Sequence, residues 1–419
     1  MEANRIFARQ GEYFFHDVVA SGRAARPLEF PAPQVHDALN ESGYVINVET
    51  GERSHFRNLV FKMDTDGDGP QIAYLMQRRL VRAIYGYVWL CIVLRRHHGP
   101  AADEILEVVE GQAPYVWEVT RERVAIKMMV WSRIQRGRGR MLEDPVKEIA
   151  AMQLLSNNNN DGLVDTNDGG DYILKVSEVL TDDNFLYQVL PFCAGGDLFG
   201  IVVQYADASD GAHGMPEPVA RYWFRQILKG LQYLQSKGVC HRDLSLENIL
   251  VHEDNCFIID MGMCLRVPYS DLHDPSITTD VTNGGMRRLI TPQGTCGKLN
   301  YMAPEIFANS EPFDGFAIDL WSTGVILYIM LTGFPPYDQA TLADPRFESI
   351  VNGRLVAQLE EWGVHLSQEV GNLLQNMLQL DPSNRLTLNQ VMRHPWVTAN
   401  EIERPVNHLE PWQRGHDAH

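Results

Sequence analysis

The sequence predicts an α+β protein in which a small, mostly antiparallel sheet precedes a larger helical domain. Short apolar runs at strand spacing, ILEVV, YVWEV and RVAIKMM, lie at residues 105–109, 115–119 and 123–129. Helical periodicity follows at 143–155 and, more strongly, at 219–237, where apolar residues three and four positions apart form one face. The strand signals therefore come first and the helical signals second, as expected for two lobes of different architecture.

Composition excludes several classes of protein. The chain has 419 residues, of which 45% are hydrophobic and 21% charged, so it can bury a sizeable core. Its net charge of -18 repels nucleic-acid backbones and anionic lipid headgroups, so we expect neither as a partner. The six cysteines are scattered and follow no recognisable leader, which predicts reduced thiols in the cytoplasm, with the nucleus as the alternative.

Four regions are expected along the chain. An apolar run at 83–94 has only 12 residues, fewer than the roughly 20 needed to span a bilayer, so we expect no transmembrane segment. The run is expected to be a buried helix or strand, with contact at a membrane surface as the alternative, and residues 71–98 are compatible with one long helix. The predicted regions are an N-terminal extension of unknown function (1–104), a sheet-rich lobe (105–192), a helical lobe (193–399) and a polar tail (400–419).

Charged and polar residues stand beside apolar runs at separate places in the sequence. Asp243 and Asn248 lie in HRDLSLEN, and Asp260 ends an apolar run in FIIDMG; their hard oxygen atoms suit magnesium. Lys127 lies in VAIK, on a strand expected to be buried, where a lone ammonium group would be costly. Glu148 on the following helix is the candidate partner for that ammonium group.

These segments resemble the protein kinase family, whose signature includes VAIK, HRDLxxxxN, DFG and APE in that order. The resemblance spans residues 105–397, with APE at 303–305. It implies the bilobal protein kinase fold, with a small antiparallel-sheet N-lobe and a larger helical C-lobe. It also implies phosphoryl transfer from ATP, with Mg²⁺ as cofactor, to a hydroxyl group of a protein substrate.

The resemblance assigns a role to each candidate. Lys127 holds the α and β phosphates and is oriented by Glu148, Asn248 and Asp260 hold Mg²⁺, and Asp243 accepts the hydroxyl proton. Further nucleotide-binding positions are implied at Gly111, Leu190, Cys193, Asp197 and Leu250.

The glycine-rich phosphate loop of the family is degenerate in this sequence. Where the family has GxGxxG, the chain offers Gly111 in GQAPYV, and Pro114 lacks an amide donor. We therefore expect weaker nucleotide binding than is usual in the family. A milder departure is Met261 in place of the Phe of DFG, since Met remains apolar and fills a similar slot.

A cation is also missing near the transferred phosphate. Serine/threonine kinases usually carry Lys two residues after the catalytic Asp, where this chain has Ser245. Lys298 stands where the family usually has a Thr that faces this Lys. The hypothesis is a charge swap, in which Lys298 supplies the missing ammonium group; the alternative is a solvated Lys298 beside an impaired site.

The sequence predicts the acceptor only in outline. YMAPE and the absence of tyrosine-kinase patterns indicate a Ser or Thr acceptor, and Asp197 and Glu247 suggest a basic sequence around it. The alternative function is a pseudokinase that acts as a scaffold or binding module. A calcium-regulated kinase is the least favoured reading, because the acidic turn at 64–69 has Leu75 where a calcium loop needs Glu.

Overall fold

The computed structural model describes most of the chain and divides it into two compact units. The small unit comprises Ala32–Ser156 and Lys175–Phe192; the large unit comprises Met1–Pro31, Asn157–Leu174 and Cys193–His419. The segment expected to form a strand at 105–109, Gly111 and most of the acidic turn lie outside the described residues. Backbone and side chains are described for residues 27–47, 49–63, 69–98, 115–156, 169–208, 214–271, 273–274, 277–280 and 287–405, and the backbone alone for 6–8 and 14–16.

The strands are concentrated in the first half of the chain. In chain order they are β1 (Ile6–Ala8), β2 (Phe14–His16), β3 (His36–Ile46), β4 (Arg53–Lys62), β5 (Ile72–Arg82), β6 (Gly86–Arg96), β7 (Val116–Val130), β8 (Glu178–Thr181), β9 (Phe185–Pro191), β10 (Val239–Cys240), β11 (Ile249–His252), β12 (Asn255–Ile258), β13 (Leu265–Arg266), β14 (Tyr269–Ser270), β15 (Thr278–Thr279) and β16 (Arg287–Arg288).

The helices are concentrated in the second half. In chain order they are α1 (Trp131–Gly137), α2 (Pro145–Ser156), α3 (Leu198–Ala208), α4 (Glu217–Ser236), α5 (Pro304–Ala308), α6 (Gly315–Thr332), α7 (Pro345–Val351), α8 (Leu355–Glu361), α9 (Gln368–Met377), α10 (Leu388–Met392) and α11 (Pro395–Thr398). The expected sequence of a sheet-rich part followed by a helical part is confirmed.

The small unit is a closed β-barrel. Its strands follow the order β3-β4-β5-β6-β7-β9-β8, and β3 closes the barrel by pairing in parallel with β8, His36 opposite Leu180. The end of β3 also pairs in parallel with the start of β7, Tyr44 opposite Val116. The other neighbouring strands are antiparallel. Strands from residues 36–96 therefore belong to the same barrel as β7, so the predicted boundary at 104 does not separate compact units.

One long helix at 71–98 is wrong, because this segment forms β5 and β6; of the buried helix or strand expected at 83–94, the strand is confirmed. Aromatic and β-branched residues are frequent in it, and they pack well on a pleated surface. Cys91 and Val93 lie in one buried core cluster of the barrel, and Leu94 lies in a second. The apolar run is continuous because residues on both faces of this sheet are covered, which is the condition under which a strand loses its polar alternation.

Helix α2 confirms the helix expected at 143–155 and positions Glu148. Pro145 is its first residue, where a missing amide donor costs nothing, and the Asp144 carboxylate accepts a hydrogen bond from the Val146 amide at 2.9 Å. Ile149 is fully buried in a cluster with residues of the barrel wall. The packing of Ile149 therefore fixes the rotation of α2 about its axis, and with it the direction of the Glu148 side chain one residue earlier.

The large unit is built around two long helices. Phe224, Ile227 and Leu231 form the buried face of α4, confirming the helix expected at 219–237. Every residue of α6 is buried. Among the described residues α6 is the one helix long and apolar enough to cross a membrane by length and composition. An interior helix of a globular protein passes the same test, and the burial of α6 on all sides fits that reading.

A small sheet joins the N-terminal residues to the segment after Asp260. Its order is β1-β2-β16-β14-β15, and β2 pairs in parallel with β16. Leu28 forms a further antiparallel bridge with Arg266, whose guanidinium group lies 5.7 Å from the centre of the Phe30 ring. The segment between Asp260 and Glu305 is thus held in part by the beginning of the chain.

Candidate active site

In the small unit, Lys127 and Glu148 form a buried ion pair. The Lys127 ammonium donates to both carboxylate oxygens of Glu148, at 2.9 and 2.7 Å. The two residues are 9% and 3% exposed. Breaking such a pair by removing one partner leaves an uncompensated buried charge and typically costs about 3–5 kcal/mol. The structure therefore brings together the two residues that the sequence suggested as partners.

A tight hairpin lies beside Lys127 on the neighbouring strand. Val88 of β6 is directly opposite Lys127, and Val81 of β5 is directly opposite Val88. Two residues form the tip, because Ala83 and Gly86 exchange backbone hydrogen bonds of 3.0 and 3.3 Å. The hairpin, defined here as residues 81–88, therefore ends at the residue that pairs directly with Lys127.

Gly86 is required by the packing of this hairpin. A Cβ atom at Gly86 would lie 1.9 Å from the carbonyl oxygen of Met128. The sequence from 81 to 88 reads V-R-A-I-Y-G-Y-V, so it keeps the last Gly and the Val of the pattern GxGxxGxV. This hairpin was not predicted from the sequence, although a Gly and a Val two positions apart were visible signals.

In the large unit, Asp243 and Asn248 lie side by side. The Asn248 side-chain amide donates to the backbone oxygen of Asp243 at 2.8 Å and to its carboxylate at 3.0 Å. Burial raises the pKa of Asp243; the charges of His241 and Lys298 oppose this shift, and Asp260 adds to it. A cation that binds next to a carboxyl group in this environment stabilises its ionised form.

The loop that carries Asp243 is held from below by Asp319 of α6. The backbone amides of His241 and Arg242 donate to the two oxygens of Asp319 at 2.6 and 2.8 Å. Arg242 has a φ of 69°, a left-handed conformation that costs about 1–3 kcal/mol in a residue other than glycine. The paired hydrogen bonds offset this strain and fix the direction in which Asp243 leaves the loop.

Asp260 follows β12 in a strained conformation and accepts a hydrogen bond from the Gly262 amide at 3.2 Å. Its φ is 66°, which is also left-handed. The next residue, Met261, is completely buried. Asp260 and Asn248 supply oxygen atoms only, and the amide of Asn248 is already used as a donor. This donor set fits a hard divalent cation such as Mg²⁺.

Ser245 and Lys298, the two residues of the charge-swap hypothesis, are in contact. The Lys298 ammonium donates to the Ser245 hydroxyl at 2.5 Å. It also lies 3.6 Å from a carboxylate oxygen of Glu247, which in turn accepts a hydrogen bond from the Tyr301 hydroxyl at 3.2 Å. The Lys298 side chain is 38% exposed. Its positive charge therefore lies close to the loop of Asp243 while still facing solvent.

Of the residues expected to line the nucleotide pocket, all except Gly111 lie in the described part of the chain. Leu190 lies near the end of β9 in the small unit. In the large unit Asp197 and Leu250 form an isolated backbone bridge, and the Asp197 carboxylate accepts from the Gly200 amide at 2.8 Å. Cys193 is buried, and burial raises the pKa of its thiol to about 12, so the thiol is neutral.

Glu305 of the APE motif pairs with Arg385. The guanidinium group donates to both carboxylate oxygens, at 2.9 and 3.2 Å, and to the carbonyl oxygen of Ala317 at 2.8 Å. The Arg385 side chain is completely buried. A bidentate pair of this kind fixes geometry as well as charge.

Comparison with known proteins shows which family this chain is similar to. Residues 111–397 match the protein kinase domain. A serine/threonine-protein kinase CHK1 from Mycosarcoma maydis is 36% identical over 246 residues, which cover 56% of this chain and 33% of that protein. A maternal embryonic leucine zipper kinase from Danio rerio is 32% identical over 301 residues, covering 71% of this chain and 37% of its own length.

A third relative, CBL-interacting protein kinase 20 from Oryza sativa subsp. japonica, is 27% identical over 295 residues, which cover 69% of this chain and 54% of that protein. The chain thus spans between a third and a little over half of the length of these relatives. The matched domain covers more than half of the chain and includes the residues from Lys127 to Arg385 described above. The chain belongs to the eukaryotic-type serine/threonine protein kinase family.

Proposed function

We propose that this chain is an active protein kinase that transfers the γ-phosphoryl group of Mg-ATP to Ser or Thr hydroxyls. The observation that carries the proposal is the retention of two charged groups: the buried Lys127–Glu148 pair, and Asp243 beside Asn248. Replacement of a buried ion pair by well-packed apolar residues is often neutral or stabilising. A pure scaffold would gain stability by losing them, so their retention supports catalysis.

Each unit contributes its own groups to the reaction. Lys127, oriented by Glu148, binds the α and β phosphates, and Asp260 and Asn248 hold the metal. Bound Mg²⁺ supplies positive charge that offsets the charge of the phosphate oxygens. Leu190, Cys193, Asp197 and Leu250 are the proposed contacts to the adenosine part of ATP.

Asp243 is the proposed proton acceptor. The substrate hydroxyl oxygen forms a bond to the γ-phosphorus while the bond from that phosphorus to the bridging oxygen breaks, and ADP leaves with the bond electrons. The hydroxyl proton passes to the Asp243 carboxylate. Burial raises the pKa of this carboxyl, which brings it closer to neutral pH. A positioned base of this kind contributes about 10²- to 10⁴-fold to the rate.

The hairpin at 81–88 is the proposed cover of the ATP phosphates, in place of a loop at Gly111. Val88 lies opposite Lys127, and Ala125 lies two residues before Lys127 on the same strand. Directly opposed residues and residues two apart share one face of a sheet. Val88 and Ala125 therefore provide an apolar surface beside the ammonium group, suited to a nucleotide base. Gly86 lets the hairpin backbone approach closely.

Lys298 is the proposed source of the cation that Ser245 does not supply. The contact of 2.5 Å between the two side chains supports an exchange of roles between the positions. Glu247, 3.6 Å from the ammonium group, holds it near the catalytic loop and shares its charge. Because Glu247 is engaged in this way, the proposed preference for basic substrates rests mainly on Asp197.

A reducing compartment, the cytoplasm, is the proposed location. All six cysteines are free and buried, so the described fold uses no disulfide. Thiols kept in this state are typical of proteins in reducing surroundings.

The first test is transfer of labelled γ-phosphate from Mg-ATP to the protein itself and to a basic Ser/Thr peptide. We expect transfer by the wild type and a loss of at least 100-fold in Asp243→Asn, while Asp243→Asn still binds Mg-ATP. Equal transfer by the two proteins would point to a contaminating kinase. No transfer by a folded wild type would favour the pseudokinase scaffold.

A further inference from the structure

The two tip residues of the hairpin at 81–88 have opposite environments. Ile84 is 55% exposed, whereas Tyr85 is only 3% exposed. A glycine-rich loop in this place would be flexible, because glycine has access to more backbone conformations than any other residue. Here one aromatic side chain turns away from solvent and into the small unit.

Tyr85 is attached to the unit at three points. Its hydroxyl donates to the carbonyl oxygen of Glu143 at 2.9 Å, just before α2 begins. Its own carbonyl oxygen accepts from the Val130 amide at 3.0 Å, three residues after Lys127. Its ring packs in a buried cluster with Met129, Ile134, Ile149, Val179 and Leu186.

The structure also provides a slot for this ring. At Gly137, the last residue of α1, a Cβ atom would lie 2.9 Å from both Cε1 and the hydroxyl oxygen of Tyr85. A small residue is therefore needed where α1 ends. The small residue at Gly137 and the hydrogen bond to Glu143 are two independent observations that the fold holds the Tyr85 side chain in one place.

We propose that Tyr85 is a positioning residue that couples the phosphate-covering hairpin to α2 and hence to Glu148. The inference rests on the proposed function, since it requires the hairpin to contact ATP. A flexible loop loses backbone entropy at each residue that nucleotide binding orders. Tyr85 orders the hairpin beforehand, so the loss of two glycines does not imply weak binding. Movement of α2 away from Lys127 also withdraws the hairpin.

Tyr85→Phe tests the coupling because it removes the hydroxyl and keeps the ring. We expect the Kd for Mg-ATP, measured by titration with a fluorescent ATP analogue, to rise about fivefold, the usual effect of one lost hydrogen bond. Tyr222→Phe is the matched control. It removes a similar hydrogen bond, from the Tyr222 hydroxyl to the Asp254 carbonyl oxygen at 2.7 Å in the large unit, and should leave the Kd unchanged.

A double-mutant cycle separates coupling from simple destabilisation. If Tyr85 acts through α2, Tyr85→Phe should change the Kd less than twofold once Glu148→Gln has weakened the pair with Lys127. Full additivity of the two variants would overturn the proposal, as would an unchanged Kd in Tyr85→Phe. If Tyr85→Phe does not fold, Gly137→Ala gives a second disturbance of the same slot with the same expected result.

The titration, together with the transfer assay, separates a failure of the proposed kinase function from a failure of the coupling through Tyr85. A wild type that binds no nucleotide refutes the proposed function and this coupling with it. A wild type that binds and transfers phosphate, with Tyr85→Phe indistinguishable from it, refutes the coupling alone.

Discussion

Replacement of Lys298 by Ala should lower the turnover number by about 30-fold. Two unit charges about 4 Å apart interact by about 4 kcal/mol at the effective dielectric constant of a protein surface. The Lys298 side chain is 38% exposed and shares its charge with Glu247, so about half of this value, about 2 kcal/mol, remains for the transferring phosphate. That amount corresponds to a factor of about 30 in rate.

The assay is steady-state transfer to a Ser/Thr peptide at saturating Mg-ATP, with kcat and KM determined separately. The Ser245→Lys/Lys298→Thr double variant returns the ammonium group to the position usual in the family. It should recover most of the activity lost in Lys298→Ala. Ser245→Lys alone brings two ammonium groups into contact and should be impaired. A turnover of Lys298→Ala close to that of the wild type would refute the charge swap.

The pH profile provides a second readout of Lys298. Its positive charge lowers the pKa of Asp243, against the larger effect of burial. Removal of the charge should therefore raise that pKa and move the acidic limb of the kcat profile to higher pH. A solvated Lys298 with no influence on the site would leave the limb in place.

Two further predictions concern Gly86 and Asp319. Gly86→Ala should weaken Mg-ATP binding and lower Tm, because its Cβ atom would lie 1.9 Å from the Met128 carbonyl oxygen. In the control Gly200→Ala the nearest atom is 3.4 Å from the new Cβ, so its Tm should change little. Equal Tm shifts in the two variants would contradict this prediction. Burial raises the pKa of Asp319 from 3.8 to about 6, so the folded state keeps a proton that the unfolded state loses. This group's contribution to stability should therefore fall by about 3 kcal/mol between pH 4 and 6, and unfolding experiments should find that part of the pH dependence missing in Asp319→Asn.

Local signals in the sequence predicted the ion pair and the helices well. VAIK placed Lys127 on a strand, and the amphipathic pattern after Pro145 placed Glu148 on a helix about twenty residues later. Both features depend on neighbours within about twenty residues. The 2.7 Å contact between them follows from packing that the short connection allows.

The barrel and its hairpin could not be predicted in the same way. Whether residues 72–96 form a helix or two strands depends on β4 on one side and β7 on the other, and β7 begins twenty residues later. The hairpin was missed because Val81 and Ala83 replace two glycines. The contact that makes Gly86 indispensable, with the Met128 carbonyl oxygen, exists only once β6 and β7 are paired.

Closure of the small unit has a consequence for how this protein can be produced and how it folds. His36 and Leu180, which close the barrel, are about 140 positions apart, and pairing at such separations is slow because loop closure must come first. A fragment limited to residues 111–397 would contain β7, β8 and β9 without β3 to β6. The edge of β7 that β6 covers would then be open to other chains, and exposed edges of this kind promote aggregation. Residues 36–96, which precede the recognised domain, therefore have to be present for its small unit to form a closed barrel.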